Sequence, residues 1–276
     1  MNTASILRTA LLTVFIGILA GSPSLAQAPH LRGEGASTQL IVDGEPYLML
    51  GGEFGNSTAS SLDYMKPIWP KLEQMNVNTV LAPVYWELIE PQEGEFDFRL
   101  VDGLLEQARA HDMKLVLLWF GSWKNSMSSY VPEWVKRNQE RFPRAKQPDG
   151  TPMEMLSPFY ESNMEADAAA FEALIQHLKE VDGEQNTVVM VQVENEIGMY
   201  PAPRGHSAAA DEAMTEEVPD QLISYLQEHR ESLRPSLKEQ WAVQGYPTGG
   251  TWTEVFGDNP QTEELLTAWH YAHYTE

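Results

Sequence analysis

Apolar segments that scarcely alternate between hydrophobic and polar residues recur along this sequence, and a helical pattern separates each from the next. Strands of this kind are buried on both faces, which is typical of parallel sheets covered by helices. Residues 39–53 are predicted to form two strands joined by a turn at Asp43-Gly44, and the later strand segments are residues 77–86, 114–121 and 186–194. The helical patterns are residues 61–76, 98–112 and 163–182. A (β/α)8 TIM barrel and an open doubly wound sheet both fit this order. No glycine-rich phosphate loop follows any of the strands, so the predicted α/β fold is the TIM barrel.

The length of the chain sets how much of a barrel it can hold. A complete barrel usually takes about 250 residues for eight units, whereas only four strands are found by residue 195. Beyond them we expect a helix at 216–234, a short strand at 240–246 and a last helix that begins near Asn259 and Pro260. We therefore expect residues 47–276 to form the N-terminal part of a barrel, about the first half to five units, preceded by an N-terminal segment and hairpin strand at 27–46.

The first 26 residues follow a secretory pattern. Arg8 supplies a positive charge, residues 9–20 form an apolar block too short to span a bilayer comfortably, and Ser24-Leu25-Ala26 offers small residues for cleavage before Gln27. The alternative is an uncleaved anchor. We expect a signal peptide at 1–26, export to the periplasm or the medium, and no stable membrane association after cleavage.

Charge and cysteine content exclude several classes of function. The net charge of -22 would repel phosphate backbones and anionic lipid surfaces, so nucleic acid is not an expected partner. The sequence contains no cysteine, which excludes disulfides and thiol chemistry.

The segment TVVMVQVENEIG, residues 187–198, ends a buried strand in carboxylates. If residues 188–196 are extended, Gln192, Glu194 and Glu196 point to one face and the valines to the other. In a barrel the glutamates would face the interior, with Glu196 nearest the carboxyl end where barrel enzymes place their chemistry. Burial there favours a protonated carboxyl group, which suits a general acid, so Glu196 is the predicted proton donor. The alternative is a strand that runs out into a polar loop.

Neighbours of Glu196 have separate expectations. Glu194 lies one layer deeper and is expected to hold neighbouring side chains. Asn195 would face the opposite side, and it can share the site only if the pleat breaks at the strand end, which Gly198 favours.

Two motifs resemble a known family. QVENEIG (192–198) resembles the Gln-x-Glu-Asn-Glu signature of family 35 β-galactosidases, and YWELIEPQEGEFDF (85–98) is similar to a block found in families 35 and 42. These families belong to a clan of retaining barrel glycosidases. The resemblance implies that Glu196 is the acid/base and that a second carboxylate about 5 Å away is the nucleophile. In the clan that nucleophile ends the seventh strand, so we expect it to be missing here and the chain alone to be inactive.

Further substrate contacts are expected at the other strand ends. Glu53 ends the first strand, Tyr85 ends the second, and Trp123 and Lys124 follow the third; aromatic rings can stack on sugars, and charged groups can bind hydroxyls. Asn125 is placed here because its position relative to Pro132 and Trp134 resembles a sugar-contacting position of family 35. For the aromatic-rich connection 121–160, a binding wall and a self-stabilised surface excursion both remain open.

Metal and serine chemistry have little support in the sequence. His270 and His273 are three apart on a helical pattern, but no glutamate completes a zinc motif, and no Gly-x-Ser-x-Gly elbow occurs. We expect no cofactor and no metal. The resemblance implies an exported, exo-acting β-galactosidase that acts on terminal β-galactosides of oligo- or polysaccharides. The alternatives are a barrel glycosidase for another β-glycoside and a non-catalytic carbohydrate-binding barrel.

Overall fold

A computed structural model describes residues 27–276 of the chain. The predicted signal peptide, residues 1–26, lies outside the described residues. The strands in chain order are β1 His30–Arg32, β2 Gln39–Val42, β3 Glu45–Pro46, β4 Gly51–Glu53, β5 Thr79–Tyr85, β6 Lys114–Phe120, β7 Arg144–Lys146, β8 Pro152–Leu156 and β9 Val188–Gln192. The helices are α1 Leu62–Met65, α2 Trp69–Gln74, α3 Trp86–Ile89, α4 Arg99–Ala110, α5 Glu133–Arg137, α6 Glu161–Val181, α7 Ala208–Ala213, α8 Asp220–Glu228, α9 Pro235–Val243, α10 Trp252–Phe256 and α11 Pro260–Thr275.

The central sheet has the order β4-β5-β6-β9, and each neighbouring pair is parallel. The predicted parallel α/β arrangement is therefore confirmed. Val80, Leu115 and Leu117 lie in the main core together with residues of α4 and α6. Because the strands are parallel, their carboxyl ends meet at one edge of the sheet.

A small antiparallel sheet, β1-β2-β3, precedes the central sheet. Asp43 and Gly44 join β2 to β3 with φ values of 53° and 85°, as a type I′ hairpin turn requires. The predicted turn is confirmed, and it places the chain for entry into β4.

The helical pattern at 61–76 forms two short helices rather than one. Ser61 caps α1 by accepting a hydrogen bond from Tyr64 N, and α2 begins only at Trp69. Pro67 and Pro70 explain the interruption, because proline cannot donate the backbone hydrogen bond that a continuous helix needs. The patterns at 98–112 and 163–182 correspond to α4 and α6.

The region after β9 is helical and has its own hydrophobic cluster. The residues buried together in it, which we call the helical cluster, include Ile223, Trp241, Trp252, Phe256 and Leu266. Two predictions about secondary structure here need correction: the helix expected at 216–234 is shorter, since α8 ends at Glu228, and the strand expected at 240–246 lies mostly in α9.

Packing and capping explain these helices. Pro235 occupies the first position of α9, where proline is favoured, and Trp241 packs into the helical cluster. The last predicted helix is confirmed as α11, whose N-cap Asn259 accepts a hydrogen bond from Thr262 N. None of the helices in residues 27–276 is both long enough and apolar enough to cross a membrane.

Candidate active site

Three polar side chains meet at the carboxyl ends of β6 and β9. Lys124 Nζ donates a hydrogen bond of 2.6 Å to Asn195 Oδ1 and lies 3.3 Å from Glu196 Oε2. Ser126 also ties the two loops together, because its N–H and its hydroxyl both donate to the carbonyl oxygen of Glu196, at 3.1 and 2.8 Å. We call Lys124, Asn195 and Glu196 the edge cluster.

The edge cluster lies on the face of the sheet opposite α6. Lys124 Nζ is 5.2 Å from the centroid of the Phe120 ring, whereas Trp119, the preceding residue on β6, packs against Phe171 of α6. Successive residues of a strand point to opposite faces, so Phe120 and Lys124 are on the side that the α6 helix does not cover. In barrels that side, at the carboxyl ends of the strands, is where substrates bind.

Glu194 and Glu196 do not share a face, contrary to the sequence expectation. Strand β9 ends at Gln192, and the backbones of Glu194 and Glu196 take left-handed φ values of 60° and 51°. Glu194 is 4% exposed, while the side chain of Glu196 is 61% exposed. The expected burial of Glu196 is therefore wrong in this structure.

The early end of the strand explains this difference. The pleat breaks at Glu194, before Gly198, and this break places Asn195 beside Lys124. The condition under which Asn195 could share the site with Glu196 is thus met.

Lys124 is held on several sides. Its side chain is only 10% exposed, with one amide oxygen, one carboxylate and one aromatic ring as neighbours. An ammonium group over an aromatic face gains cation–π attraction. The arrangement can therefore orient a carboxyl group at an open rim, where it could exchange a proton with a bound molecule.

Other predicted contacts are divided between the rim and the core. Asn125 directly follows Lys124 and is exposed, with a φ of 54°. Glu53 is exposed at the end of β4 and pairs in register with Leu81 of β5. Both side chains lie at the same edge of the sheet as the edge cluster, and they remain predicted substrate contacts.

Trp123 and Tyr85 are not available to a sugar, so these two predictions are corrected. Trp123 is buried against Tyr271 and Tyr274 of α11, and its indole N–H donates to the carbonyl oxygen of Leu156. Tyr85 is buried beside Phe120, and burial raises the pKa of its phenol. Trp123 is buried because α11 covers it, and Tyr85 is buried because Tyr130 and Phe120 pack around its ring.

The structure also shows two neighbouring buried carboxyl groups, Glu194 and Asp167, of which Asp167 was not predicted from the sequence. Glu194 accepts hydrogen bonds from the N–H groups of Ser122 and Trp123, and Asp167 of α6 accepts from Ser122 N–H as well. The expectation that Glu194 holds its neighbours agrees with these contacts. Asp167 could have been noticed, since it lies three and seven residues before Ala170 and Leu174 on the apolar face of α6.

His270 and His273 of α11 lie beside Phe159. The ring of His270 is 4.2 Å from that of Phe159, and burial, with His273 as a second cause, lowers the pKa of His270 to about 4. Within residues 27–276, no group of three or more His, Cys, Asp or Glu side chains is arranged to hold a metal ion.

Comparison with known proteins places the chain among glycosidases. The model of glycoside hydrolase family 42, described as beta-galactosidase, matches residues 62–250. The predicted family 35 is therefore corrected to family 42, a different family of the same clan. A beta-galactosidase of Xanthomonas manihotis is 26% identical over 203 residues, which are 70% of this chain and 31% of that protein.

Solved structures agree with this fold. A beta-galactosidase from Rahnella sp. R3 has a TM-score of 0.52 and 15% identity, covering 82% of this chain and 32% of that one. A beta-galactosidase from Marinomonas ef1 has a TM-score of 0.46 and 14% identity, covering 71% of this chain and 27% of that one. The family match and the Rahnella structure together show that the four parallel strands are part of a TIM barrel. The chain spans about a third of the length of the relatives that it matches.

Proposed function

Because this chain belongs to family 42 of the glycoside hydrolases, we propose that it carries the acid/base half of a retaining β-galactosidase site, with Glu196 as the acid/base. The observation that carries the proposal is the edge cluster, which places Glu196 and Asn195 beside Lys124 at the carboxyl ends of neighbouring barrel strands. The exposure of Glu196 suits a group that must reach a substrate entering from solvent.

The proposed chemistry has two steps. Glu196 first protonates the glycosidic oxygen while a second carboxylate attacks the anomeric carbon, which yields a glycosyl-enzyme and the free leaving group. Glu196, now a carboxylate, then takes a proton from water while the water oxygen attacks the anomeric carbon and displaces the second carboxylate, which releases the sugar. Lys124 stabilises the carboxylate form between the two steps, and Asn195 orients Lys124 through the 2.6 Å hydrogen bond.

The second carboxylate is proposed to lie outside residues 27–276. After β9 the described chain continues through α7–α11, and two of its glutamates already have structural partners. Glu254 accepts a hydrogen bond from Thr251 N, and Glu263 binds Arg204. We therefore expect no turnover by this chain alone.

The substrate and the location of the protein are also proposals. The family description and the name of the Xanthomonas relative support β-galactosides as the substrate class. Exo cleavage of terminal β-galactosides of oligo- or polysaccharides is the finer part of the proposal. The secretory pattern in residues 1–26 supports export to the periplasm or the medium.

The test uses nitrophenyl glycosides that differ in sugar and in leaving group. Residues 27–276 should release no nitrophenol, whereas a longer gene product that supplies the second carboxylate should hydrolyse the β-galactoside in preference to other β-glycosides. In that longer product, Glu196→Gln should lower kcat/KM by about 10²–10⁴ for a poor leaving group and by much less for dinitrophenol, which needs little protonation in the first step.

The exposed Glu165 of α6 supplies a matched control. Glu165→Gln should leave the rate of hydrolysis of every substrate unchanged. Turnover by residues 27–276, or an equal loss for both leaving groups in Glu196→Gln, would contradict the proposed roles. Sugar binding by the longer product without any hydrolysis would indicate a carbohydrate-binding barrel instead.

A further inference from the structure

Two carboxyl side chains lie buried side by side behind the edge cluster. Glu194 and Asp167 share one donor, because Ser122 N is 2.9 Å from Glu194 Oε1 and 2.7 Å from Asp167 Oδ2. Gly121 makes room for the pair: a Cβ at this position would lie 2.5 Å from an oxygen of each carboxyl group. Two carboxylates so close together do not both ionise readily at neutral pH.

The groups around the pair are neutral donors. Trp119 Nε1 donates to Asp167 Oδ1 at 2.8 Å, and Trp123 N donates to Glu194 Oε2 at 2.8 Å. From α11, Tyr274 OH lies 3.5 Å from Asp167 Oδ2 and 2.6 Å from Ser122 Oγ. Tyr271, which is three residues before Tyr274 on that helix, donates to the carbonyl oxygen of Gly198.

Within residues 27–276, no cation forms a salt bridge with Asp167 or Glu194. The groove beside the pair is lined by the charged side chains of Glu172, Lys179 and Glu276. Lys179 is twelve residues beyond Asp167 on α6, or about 18 Å along the helix axis. Lys124 directs its Nζ to Asn195 and Glu196 instead of to the pair.

Burial is the main cause that favours the protonated form of the Glu194 carboxyl group. It raises the pKa of Glu194 well above the ordinary range, and the adjacent Asp167, which shares a hydrogen bond with it, adds to the rise. The N–H groups of Trp123 and Ser122 act in the opposite direction. The net effect favours the protonated form of Glu194.

The pair connects directly to both halves of the edge cluster. Ser122 and Trp123, which Glu194 holds, immediately precede Lys124, while Asn195 and Glu196 immediately follow Glu194. We propose that Asp167 and Glu194 hold a single proton between them at neutral pH and act as positioning residues that fix the loop after β6 against Asn195 and Glu196. The catalytic consequence rests on the proposed function of Glu196, whereas the shared proton does not.

The shared proton has a defined signature in the pH dependence of stability. Because the folded pKa of Glu194 is raised, the folded state holds this proton at pH values where the unfolded chain has lost it. The stabilisation is complete below the ordinary glutamate pKa and is lost as pH rises through the folded pKa. Within that window the unfolding constant of the wild type, relative to Glu194→Gln, should rise by up to about tenfold per pH unit.

Infrared spectroscopy of the full chain tests for the proton directly. At pH 7 the wild type should show the C=O stretching band of a protonated carboxyl group, Glu194→Gln should lack it, and Glu165→Gln should keep it. Asp167→Asn removes the neighbouring charge, so the band should persist but disappear at a lower pH than in the wild type. A wild type without the band, a band that survives in Glu194→Gln, or an unchanged midpoint in Asp167→Asn would overturn the shared proton.

The positioning role has its own readout in the backbone amides of Ser122, Trp123 and Lys124. In a pH titration of the wild type, the NMR chemical shifts of these amides should change with the same midpoint as the infrared band. In Glu194→Gln they should stay constant over the same pH range. A band that titrates while these amides stay still would overturn the positioning role. Failure of the glycosidase proposal would appear only in the turnover assays and would leave the band unchanged, so the two failures can be told apart.

Discussion

At the scale of single residues, Glu194 and Glu196 show how two positions of the same chemical type come to differ. They are two apart in sequence, yet one is buried against α6 and α11 and the other lies at the rim beside Lys124. The left-handed backbone at both positions, rather than the regular alternation of a strand, produces this difference. Asn195 comes to Lys124 through the same break in the pleat.

Gly121 gives a prediction at this scale. Replacing Gly121 with alanine would place a methyl group 2.5 Å from oxygens of both Asp167 and Glu194, and those oxygens cannot move far without losing their hydrogen bonds. We expect Gly121→Ala to lower the free energy of unfolding by about 1–3 kcal/mol, measured by urea denaturation. Gly249→Ala is the control, since nothing lies within 4 Å of its Cβ. Equal stability of the two variants would show that Gly121 is not packed as described.

At the scale of elements, the helical region after β9 depends on caps as much as on its apolar pattern. Thr251 and Glu254 form a reciprocal capping box at the start of α10, which carries Trp252 and Phe256 into the helical cluster. Such a cap satisfies backbone donors that the first turn of a helix leaves free. The cap therefore stabilises the packing of the cluster as well as the helix itself.

Removal of this cap should be measurable. Thr251→Ala is expected to reduce the free energy of unfolding by about 0.5–2 kcal/mol, measured as a shift of the urea midpoint with unchanged slope. Ser236→Ala, on an exposed position in the first turn of α9, is the matched control and should stay within about 0.5 kcal/mol of the wild type. If Thr251→Ala were as stable as the control, the capping box would contribute nothing in solution.

At the scale of the whole molecule, β9 is the last strand of the central sheet within residues 27–276. Met190 of β9 is 46% exposed, and Val193 just beyond the strand is exposed as well. A strand edge with apolar side chains offers free backbone groups for pairing with another chain. We therefore expect residues 27–276, by themselves, to aggregate through this edge.

A charge on that edge should suppress the association. Met190→Lys is expected to slow the growth of light scattering in concentrated solutions of the chain, because an exposed lysine on a strand edge opposes pairing between sheets. Val243→Lys makes the same change in charge on α9, where Val243 is 76% exposed. If both variants slowed scattering equally, net charge rather than the β9 edge would control aggregation.

The sequence by itself determined the features that adjacent residues encode. The parallel strands, the Asp43-Gly44 turn and the start of the last helix near Asn259 and Pro260 each follow from a local pattern and were predicted correctly. The sequence also identified Glu196 as a candidate and placed it among the barrel glycosidases, although in the wrong family of the clan.

Only the tertiary structure decided which side chains are buried and which groups meet. Trp123 and Tyr85 lie in the core instead of the site. Residues 240–243, the first part of the strand predicted at 240–246, belong to helix α9, in which Trp241 packs with distant apolar residues. The hydrogen bond between Trp119 and Asp167 joins residues that are 48 positions apart in sequence. The hydrogen bond between Ser122 and Tyr274 joins residues that are 152 positions apart. Local periodicity carries no information about such long-range contacts, since they arise only when the packed elements bring distant residues together.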